Sequence, residues 1–342
     1  MKKKSIKEVA ELAHVSIGTV DRVLHNRGRV AAKTEEKIRM IIKKFDYKPN
    51  VFASALKTGK IFRFGVLMPR PGLFCEYWEL PLNGIRKAAR ELAHHILIDY
   101  FFFDMAHGAA SFAEASKHLL RAGLDGFIMA PVLLEESKSF LVRIPTHLPY
   151  IFFDSYLPGM KPLTVIAQDG RQAGRVAGYL MSLLLPQGGE VVIVKNLPSD
   201  YHIEAREKGF CEFAAEHHGL RVLSIEIDLA DEGERLADTI GGIRDIHPDM
   251  KGLFVTNGNT HPYAQLNRGF SSSERIACVG FDLIAKNLIC LREGTIDFLI
   301  SQKPEDYGYQ SITTLYRHLI LKETVEPHVY SPIEIVCREN LL

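Results

Sequence analysis

The stretch Ser5-Ile6-Lys7-Glu8-Val9-Ala10-Glu11-Leu12-Ala13-His14-Val15-Ser16-Ile17-Gly18-Thr19-Val20-Asp21-Arg22-Val23-Leu24 decides the reading of the N-terminal part of the chain. Ser5 and Glu8 have the spacing of a capping box, which predicts a helix from Ile6. Ile6, Val9, Ala10 and Ala13 then share one face. His14-Val15 makes a turn, and Ser16 is a good N-cap for a second helix through about His25. Val20, Val23 and Leu24 face the first helix. Two short helices joined in this way form a helix-turn-helix, whose second helix enters the major groove of DNA by its start. The residues it would present there are Ile17, Gly18, Asp21 and Arg22. The Arg22 guanidinium can meet guanine O6 and N7 bidentately, and Ile17 can touch a thymine methyl group. Gly18 would let backbone approach the DNA. Asp21 would accept from a cytosine amino group or orient Arg22. Ser16 and Thr19 complete the DNA-facing set, Thr19 as packing or a phosphate contact.

A third helix is predicted from about Ala32 to Phe45, burying Ile38, Ile41, Ile42 and Phe45. Lys33, Lys37, Arg39, Lys43 and Lys44 occupy its other faces, mostly as a solvated surface. Arg27 and Arg29, in the loop before it, are better phosphate candidates, since such contacts position a protein without reading sequence. Charge supports the division of the chain. Residues 1–60 hold 15 Lys and Arg against 6 Asp and Glu, whereas residues 61–342 hold 27 against 35. The formal net charge of +1 therefore hides a basic module on an acidic body, and only the module calls for a polyanion. A plain lysine tail would explain Lys2, Lys3 and Lys4, but not basic residues interleaved with periodic apolar ones up to Lys60.

Val9-Ala10, Val15-Ser16, Thr19-Val20, Arg22-Val23-Leu24, Val30, Lys33-Thr34, Tyr47-x-Pro49-Asn50 and Ala53-x-x-Leu56 form an ordered, nearly gap-free run. It resembles the N-terminal domain of the lactose/galactose (LacI/GalR) repressor family. The departures are Gly18, Asp21, His25 and Ala31, the last where a serine usually caps the third helix. The resemblance implies a hinge helix over 47–60 that forms on DNA. There a leucine, here Leu56, wedges into a base step of the minor groove with Asn50 and Ala53 on the same face. An apolar wedge costs a few kcal/mol of unstacking and kinks the duplex, which brings more protein into contact.

About 280 residues remain, enough for two lobes rather than one core. Phe64–Met68, Ile96–Phe101, Gly126–Met129 and Tyr150–Phe153 read as strands. Helical stretches such as Leu82–His94 and Ser111–Ala122 lie between them. Val191–Val194, Leu223–Ile225, Gly252–Val255 and Ala277–Gly280 repeat the scheme. Continuous apolar strands joined by helices mean parallel sheets covered on both faces. The expected fold is an all-α helix-turn-helix domain over 1–46, the hinge over 47–60, and a C-terminal α/β part over 61–342. That part holds two doubly wound lobes, the first about 61–168 with 303–328, the second about 169–302 with 329–342.

In open α/β sheets ligands bind beyond the carboxyl ends of the strands. Phe74, Glu76, Tyr77 and Trp78 follow the first strand, and Asp154-Ser155 the fourth. Asp200, Tyr201, His202 and Arg206 follow Val194, Asn257 and Asn259 follow Val255, Asp282 follows Phe281, and Gln302 follows Ile300. Aromatic faces with Asp, Asn, Arg and Gln suit a sugar. This part resembles the periplasmic sugar-binding proteins. The resemblance implies stacking on Phe74, Tyr77 or Trp78, and hydrogen bonds from Asp154, Ser155, Tyr201, Arg206, Asn257, Asp282 and Gln302. Ser155, where sugar binders often have arginine, and Gly258-Asn259-Thr260-His261 are departures from that pattern. Asp169 fits a helix cap as well as a ligand contact. Gly170, Gly174 and Gly178, four residues apart, fit close helix packing better than a phosphate loop.

Cys75, Cys211, Cys278, Cys290 and Cys337 are widely spaced without a C-x-x-C, which argues against a disulfide framework or zinc site and fits a reducing cytoplasm. No nucleotide fingerprint follows a strand, and no run approaches ~18 apolar residues, so no cofactor, metal or membrane span is expected. The partners expected are a double-stranded DNA operator, a sugar-like effector and a second copy of the chain, with a homodimer favoured over a tetramer. The alternatives are a transported-solute binder, disfavoured by the DNA module and the lack of an apolar leader, and an enzyme on the same fold. No nucleophile–base pair or metal spacing supports the latter, so the chain is expected not to be an enzyme.

Overall fold

Strand segments such as Val191-Val192-Ile193-Val194 are apolar at every position, and a sheet can satisfy that only if helices cover both its faces. The computed structural model describes residues 6–24, 30–45, 60–72, 76–217, 219–228, 234–267 and 274–341. The chain divides into two compact units, Met1–Lys60 with Leu319–Glu323, and Ile61–His318 with Thr324–Leu342.

In the first unit, α1 (Ile6–Ala13), α2 (Ile17–Leu24) and α3 (Ala32–Lys44) pack around Val9, Ala10, Ala13, Val20, Val23 and Ile38. His14 turns the chain with φ 58°, a left-handed value that His tolerates better than a branched residue would. Ser16 then caps α2, its Oγ accepting from Thr19 N at 3.2 Å. Ile41, Ile42 and Phe45, expected in the core with Ile38, are only half-buried. Ala31 sits at the N-cap of α3 with extended backbone (φ −59°, ψ 133°) and no side-chain hydrogen bond. Ser5 and the hinge over 47–60, except Lys60, lie outside the described residues.

The second unit holds two six-stranded sheets. Lobe 1 contains β1 (Phe62–Pro69), β2 (Ile96–Phe103), β3 (Gly126–Met129), β4 (Tyr150–Phe153), β5 (Thr164–Gln168) and β11 (His328–Ser331), in the order β11-β5-β4-β3-β1-β2. All its pairings are parallel. Lobe 2 contains β6 (Gly189–Leu197), β7 (Leu220–Asp228), β8 (Met250–Val255), β9 (Ala277–Phe281), β10 (Phe298–Ser301) and β12 (Glu334–Val336), in the order β12-β10-β9-β8-β6-β7. Only its edge strand β12 runs antiparallel, against β10. The helices are α4 (Glu79–Glu91), α5 (Gly108–Arg121), α6 (Leu134–Leu141), α7 (Gly170–Leu184), α8 (Tyr201–Glu216), α9 (Glu234–Gly241), α10 (Ile243–Ile246), α11 (Ala285–Glu293) and α12 (Pro304–Leu319). In β6, Val191 and Ile193 pack with α7 residues Ala173, Ala177 and Met181, while Val192 and Val194 pack with Ile240, Ile243 and Leu291 on the other face.

The lobe boundary differs from expectation at the C-terminal end. Residues 329–331 belong to β11 of lobe 1, and the chain returns to lobe 2 only at β12. Three segments therefore cross between the lobes, after β5, after β10 and after β11. Gln168 joins them, its Nε2 donating to the carbonyls of Ser301 (3.1 Å) and Pro332 (3.2 Å).

Two helix pairs touch backbone to backbone. A Cβ on Gly174 of α7 would fall 2.0 Å from Arg206 O of α8, and one on Gly209 would fall 1.9 Å from Arg171 O. Lobe 1 repeats the device with Gly84 of α4 and Gly308 of α12, where a Cβ would meet Glu305 O at 1.8 Å and Pro81 O at 1.9 Å. The four-residue glycine spacing in α7 thus serves helix packing. Gly174→Ala should lower the unfolding free energy by at least about 1–3 kcal/mol in chemical denaturation, because the obstacle is backbone. Gly241→Ala, a helical position with open space around it, should change stability little or raise it by about 0.5–1 kcal/mol. At the N-cap, Ala31→Ser should raise the melting temperature of the helical unit through a gain of about 0.5–2 kcal/mol.

Candidate functional site

The cleft between the lobes is built from the carboxyl ends of the strands. Its lining comes from Tyr77 and Trp78 after β1, Met105 after β2, Val132 after β3 and Asp154 after β4. Opposite them stand Asn196, Leu197 and Pro198 at the end of β6, Asp200, His202, Ile203 and Arg206 around the start of α8, Asn257–Asn259 after β8, Asp282 after β9 and Gln302 after β10. The space they surround is about 600 Å³, part of it open to solvent.

Asp154 and Asp282 occupy equivalent places, each following a Phe that ends the fourth strand of its lobe. Both have left-handed backbone, φ 70° and 65°, and each donates its N–H to the next strand, to Ile166 O and Ile300 O, both at 3.0 Å. Such conformations cost about 1–3 kcal/mol and persist where surrounding structure holds them. Both residues are 2% exposed. The Tyr77 hydroxyl donates to Asp154 Oδ1, and Oδ2 has no partner. The Gln302 amide nitrogen donates to both oxygens of Asp282, at 3.0 and 3.2 Å. Burial raises the pKa of Asp154, and it pushes Asp282 up to about 7 despite the nearby Arg206 charge. Desolvation also raises the phenols of Tyr77 and Tyr307, so both stay neutral.

Arg206 is 1% exposed and acts as the strut of lobe 2. Its Nη1 donates to Thr256 O at 2.7 Å, its Nη2 to Gln302 Oε1 at 2.8 Å, and the guanidinium carbon lies 3.7 Å from the Phe281 ring centroid. Its Nε has no acceptor. Asn257 Oδ1 accepts from Asn196 Nδ2 (2.8 Å) and from Asn259 N (3.1 Å), and Tyr263 donates to Asn196 Oδ1 at 2.5 Å. Asp200 caps α8, accepting from His202 N and Ile203 N. His202 Nδ1 lies 2.8 Å from Asp200 Oδ1 but too far out of line to form a hydrogen bond with it, which leaves that nitrogen unpaired. At the rim, Lys286 of α11 meets Glu76 of lobe 1 at 2.8 Å, an exposed pair.

Seven of the ten residues expected to face a ligand lie together in this lining: Tyr77, Trp78, Asp154, Arg206, Asn257, Asp282 and Gln302. Phe74 is outside the described residues. Ser155 and Tyr201 are not among the lining residues. Ser155 is buried outside the lining, where the tight turn after Asp154 (Ser155 N to Phe153 O, 2.8 Å) turns the two residues different ways. Tyr201 begins α8 and stands 44% exposed, its ring edge-on to Tyr156 at 5.2 Å. His202 lines the cleft in its stead, as its four-residue spacing from Arg206 on α8 would have indicated. Asn196, Leu197, Pro198, Met105 and Val132 carried no signal of their own. Asp169 accepts from Gln172 N at 3.0 Å as the cap of α7 and does not line the cleft.

In the helical unit Ser16, Ile17, Gly18 and Arg22 are exposed and Thr19 is half-buried, its hydroxyl 2.9 Å from Ser16 Oγ. The Asp21 side chain, Arg27, Arg29, Asn50, Ala53 and Leu56 lie outside the described residues. Among the described residues no cluster of His, Cys, Asp and Glu has metal-binding geometry, and no helix is long and apolar enough to cross a membrane.

Two lobes with a strand-end cleft between them define a periplasmic binding protein domain, and the model of that domain matches residues 64–323. The chain belongs to that domain family, and residues 5–50 match the model of the bacterial regulatory proteins of the lacI family, which makes this segment a lacI-type helix-turn-helix domain. The sucrose operon repressor of Staphylococcus xylosus is 34% identical over 179 residues, 52% of each chain. The chain thus matches about half the length of curated relatives such as this one. A putative LacI transcriptional regulator from Bacteroides fragilis superposes with a TM-score of 0.74 at 29% identity, covering 82% of this chain and 98% of that one. GanP, a glucose-galactose binding protein from Geobacillus stearothermophilus, shares the fold with a TM-score of 0.72 at 20% identity, covering 82% and 99%.

The raised carboxylate gives a pH signature. In the unfolded chain Asp282 titrates near its ordinary 3.8, and in the folded protein near 7. Between these values the folded state holds the extra proton, so this contribution to stability is complete below about pH 4 and is lost as pH rises through 7. Unfolding free energy measured by denaturant from pH 4 to 8 should therefore fall less steeply for Asp282→Asn than for the unaltered chain. Parallel profiles would refute the assignment.

Proposed function

We propose that the chain is a ligand-responsive transcription regulator, a repressor that binds a near-palindromic operator as a homodimer and is controlled by a sugar-like effector in the cleft. The observation that carries the reading is the joining of two modules in one chain. One presents Ile17, Gly18 and Arg22 on the exposed side of a second helix, and the other encloses aromatic, amide, guanidinium and carboxylate groups at converging strand ends. In the cleft Trp78 and Tyr77 would stack on the C–H face of the ring. Asp154, Asp282, Asn257 and the free Nε of Arg206 would take its hydroxyls. The sucrose operon repressor among its relatives favours the same class of ligand. A role on DNA places the protein in the cytoplasm.

Control follows from linkage. A ligand that draws on both lobes changes their mutual arrangement, and the arrangement favoured with ligand need not be the one favoured on DNA. An effector that binds the DNA-incompetent state about 100-fold better lowers operator affinity by about 2.7 kcal/mol, and the operator weakens effector binding by the same factor.

The test has two steps. A thermal-shift panel of sugars, polyols, sugar acids and sugar phosphates identifies the ligand, since saturation at ~100 times the dissociation constant adds about 2.7 kcal/mol of stability. Operator affinity is then measured with and without that ligand, and an unchanged affinity would sink the regulatory reading. Arg22→Ala should cost about 1–3 kcal/mol of operator affinity and relax specificity at one base pair. A uniform loss on all sequences would make Arg22 a phosphate contact instead.

A further inference from the structure

We infer that the ligand of the cleft carries a free amino group, held as an ammonium between Asp154 and Asp282, and so belongs to the amino sugars. The inference rests on the sugar reading of the same cleft. Its basis is the pairing of the buried charges. Three carboxylates line the cleft, Asp154, Asp200 and Asp282, with one guanidinium, Arg206, and one imidazole, His202. No lysine is among the lining residues. Asp200 already caps the start of α8. Arg206 directs its two terminal nitrogens to uncharged acceptors, the Thr256 carbonyl and the Gln302 amide oxygen.

Asp154 and Asp282 are thus each held by an uncharged donor, the Tyr77 phenol and the Gln302 amide. Among the described residues neither forms an ion pair, and Asp154 Oδ2 is buried with no partner at all. The groups around them are the phenols of Tyr77 and Tyr307, Arg206, His202 and Asp200; the Asp200 carboxylate disfavours ionisation of Asp154, and the Asp154 carboxylate disfavours that of Asp282. A buried carboxylate with no ion-pair partner is stabilised either by protonation or by a cation brought to it. An ammonium has three donors and no acceptor. Placed against Asp154 Oδ2 and Asp282 it would neutralise charge that a sugar hydroxyl leaves in place. The ring hydroxyls then fall to Asn257 and to the unpaired Arg206 Nε.

Isothermal titration of the full chain decides the matter, at pH 7.5 with D-glucosamine, D-galactosamine and D-mannosamine, their parent hexoses and their N-acetyl derivatives. One amine should bind at least about tenfold more tightly than its parent and its N-acetyl form. Asp154→Asn and Asp282→Asn should each bring amine and parent within a few-fold of one another. A parent or N-acetyl sugar binding as tightly as the amine would overturn the ammonium and leave the sugar reading standing. No binding by any of the nine would overturn the amino-sugar inference, while the wider sugar reading stands or falls on the thermal-shift panel.

Discussion

The second lobe depends on the close approach of α7 and α8 at Gly174 and Gly209. With a Cβ at Gly174 the two backbones could not meet, since Arg206 O already fills that place. The residue whose carbonyl makes the contact also sends its guanidinium into the cleft. From there Arg206 fixes the Thr256 carbonyl after β8 and Gln302 after β10, and Gln302 fixes Asp282 after β9. Three strand ends thus take their positions from one helix-helix contact. A bulkier pair of helices would shift Arg206 outward, and the chain of hydrogen bonds would lose its origin. The same solution at Gly84 and Gly308 in lobe 1 anchors α4, which begins directly after Tyr77 and Trp78.

Between the lobes the contacts are of another kind. Gln168 gathers two of the other crossing segments through backbone carbonyls, a buried and directional link. The Glu76–Lys286 pair across the rim is exposed, and such pairs contribute about 0–1 kcal/mol. The segments that join the lobes are therefore held firmly, while little in the rim itself holds the cleft shut. That division suits a body whose closure is decided by what occupies it.

Much of this was legible in the sequence, and the reasons differ by element. The helix-turn-helix was legible because its spacing and its Ser16 cap are local. The buried strands were legible as apolar runs, and β6 shows why, since both its faces are covered. β5, β11 and β12 escaped for opposite reasons. Thr164-Val165-Ile166-Ala167-Gln168 is bounded by polar Thr164 and Gln168, which leaves only three apolar residues in a row. His328–Ser331 and Glu334–Val336 lie at sheet edges with half their faces in solvent, so no continuous apolar run marks them. In the cleft, strand-end position found Asp154, Asp282 and Gln302, because doubly wound sheets put their ligands there. It could not separate Tyr201 from His202, whose roles depend on the phase of α8. Nor could it show that the turn after Asp154 would bury Ser155 away from the ligand.

The two aspartates explain why the cleft is costly to the unliganded protein. Each sits in left-handed backbone at a strand end, each is raised in pKa by desolvation, and the Asp154 charge raises Asp282 further. The fold tolerates this because the sheets and the Gly174–Arg206 contact hold the strand ends, and the carboxylates with them. The stored unfavourable energy is released by whatever neutralises them. A ligand that does so gains affinity from strain already present, and gains it only in the arrangement of the lobes that brings Asp154 and Asp282 to it together. The same buried charge that lowers stability thus makes lobe geometry sensitive to whatever neutralises it, and the control proposed for the chain would draw on that sensitivity.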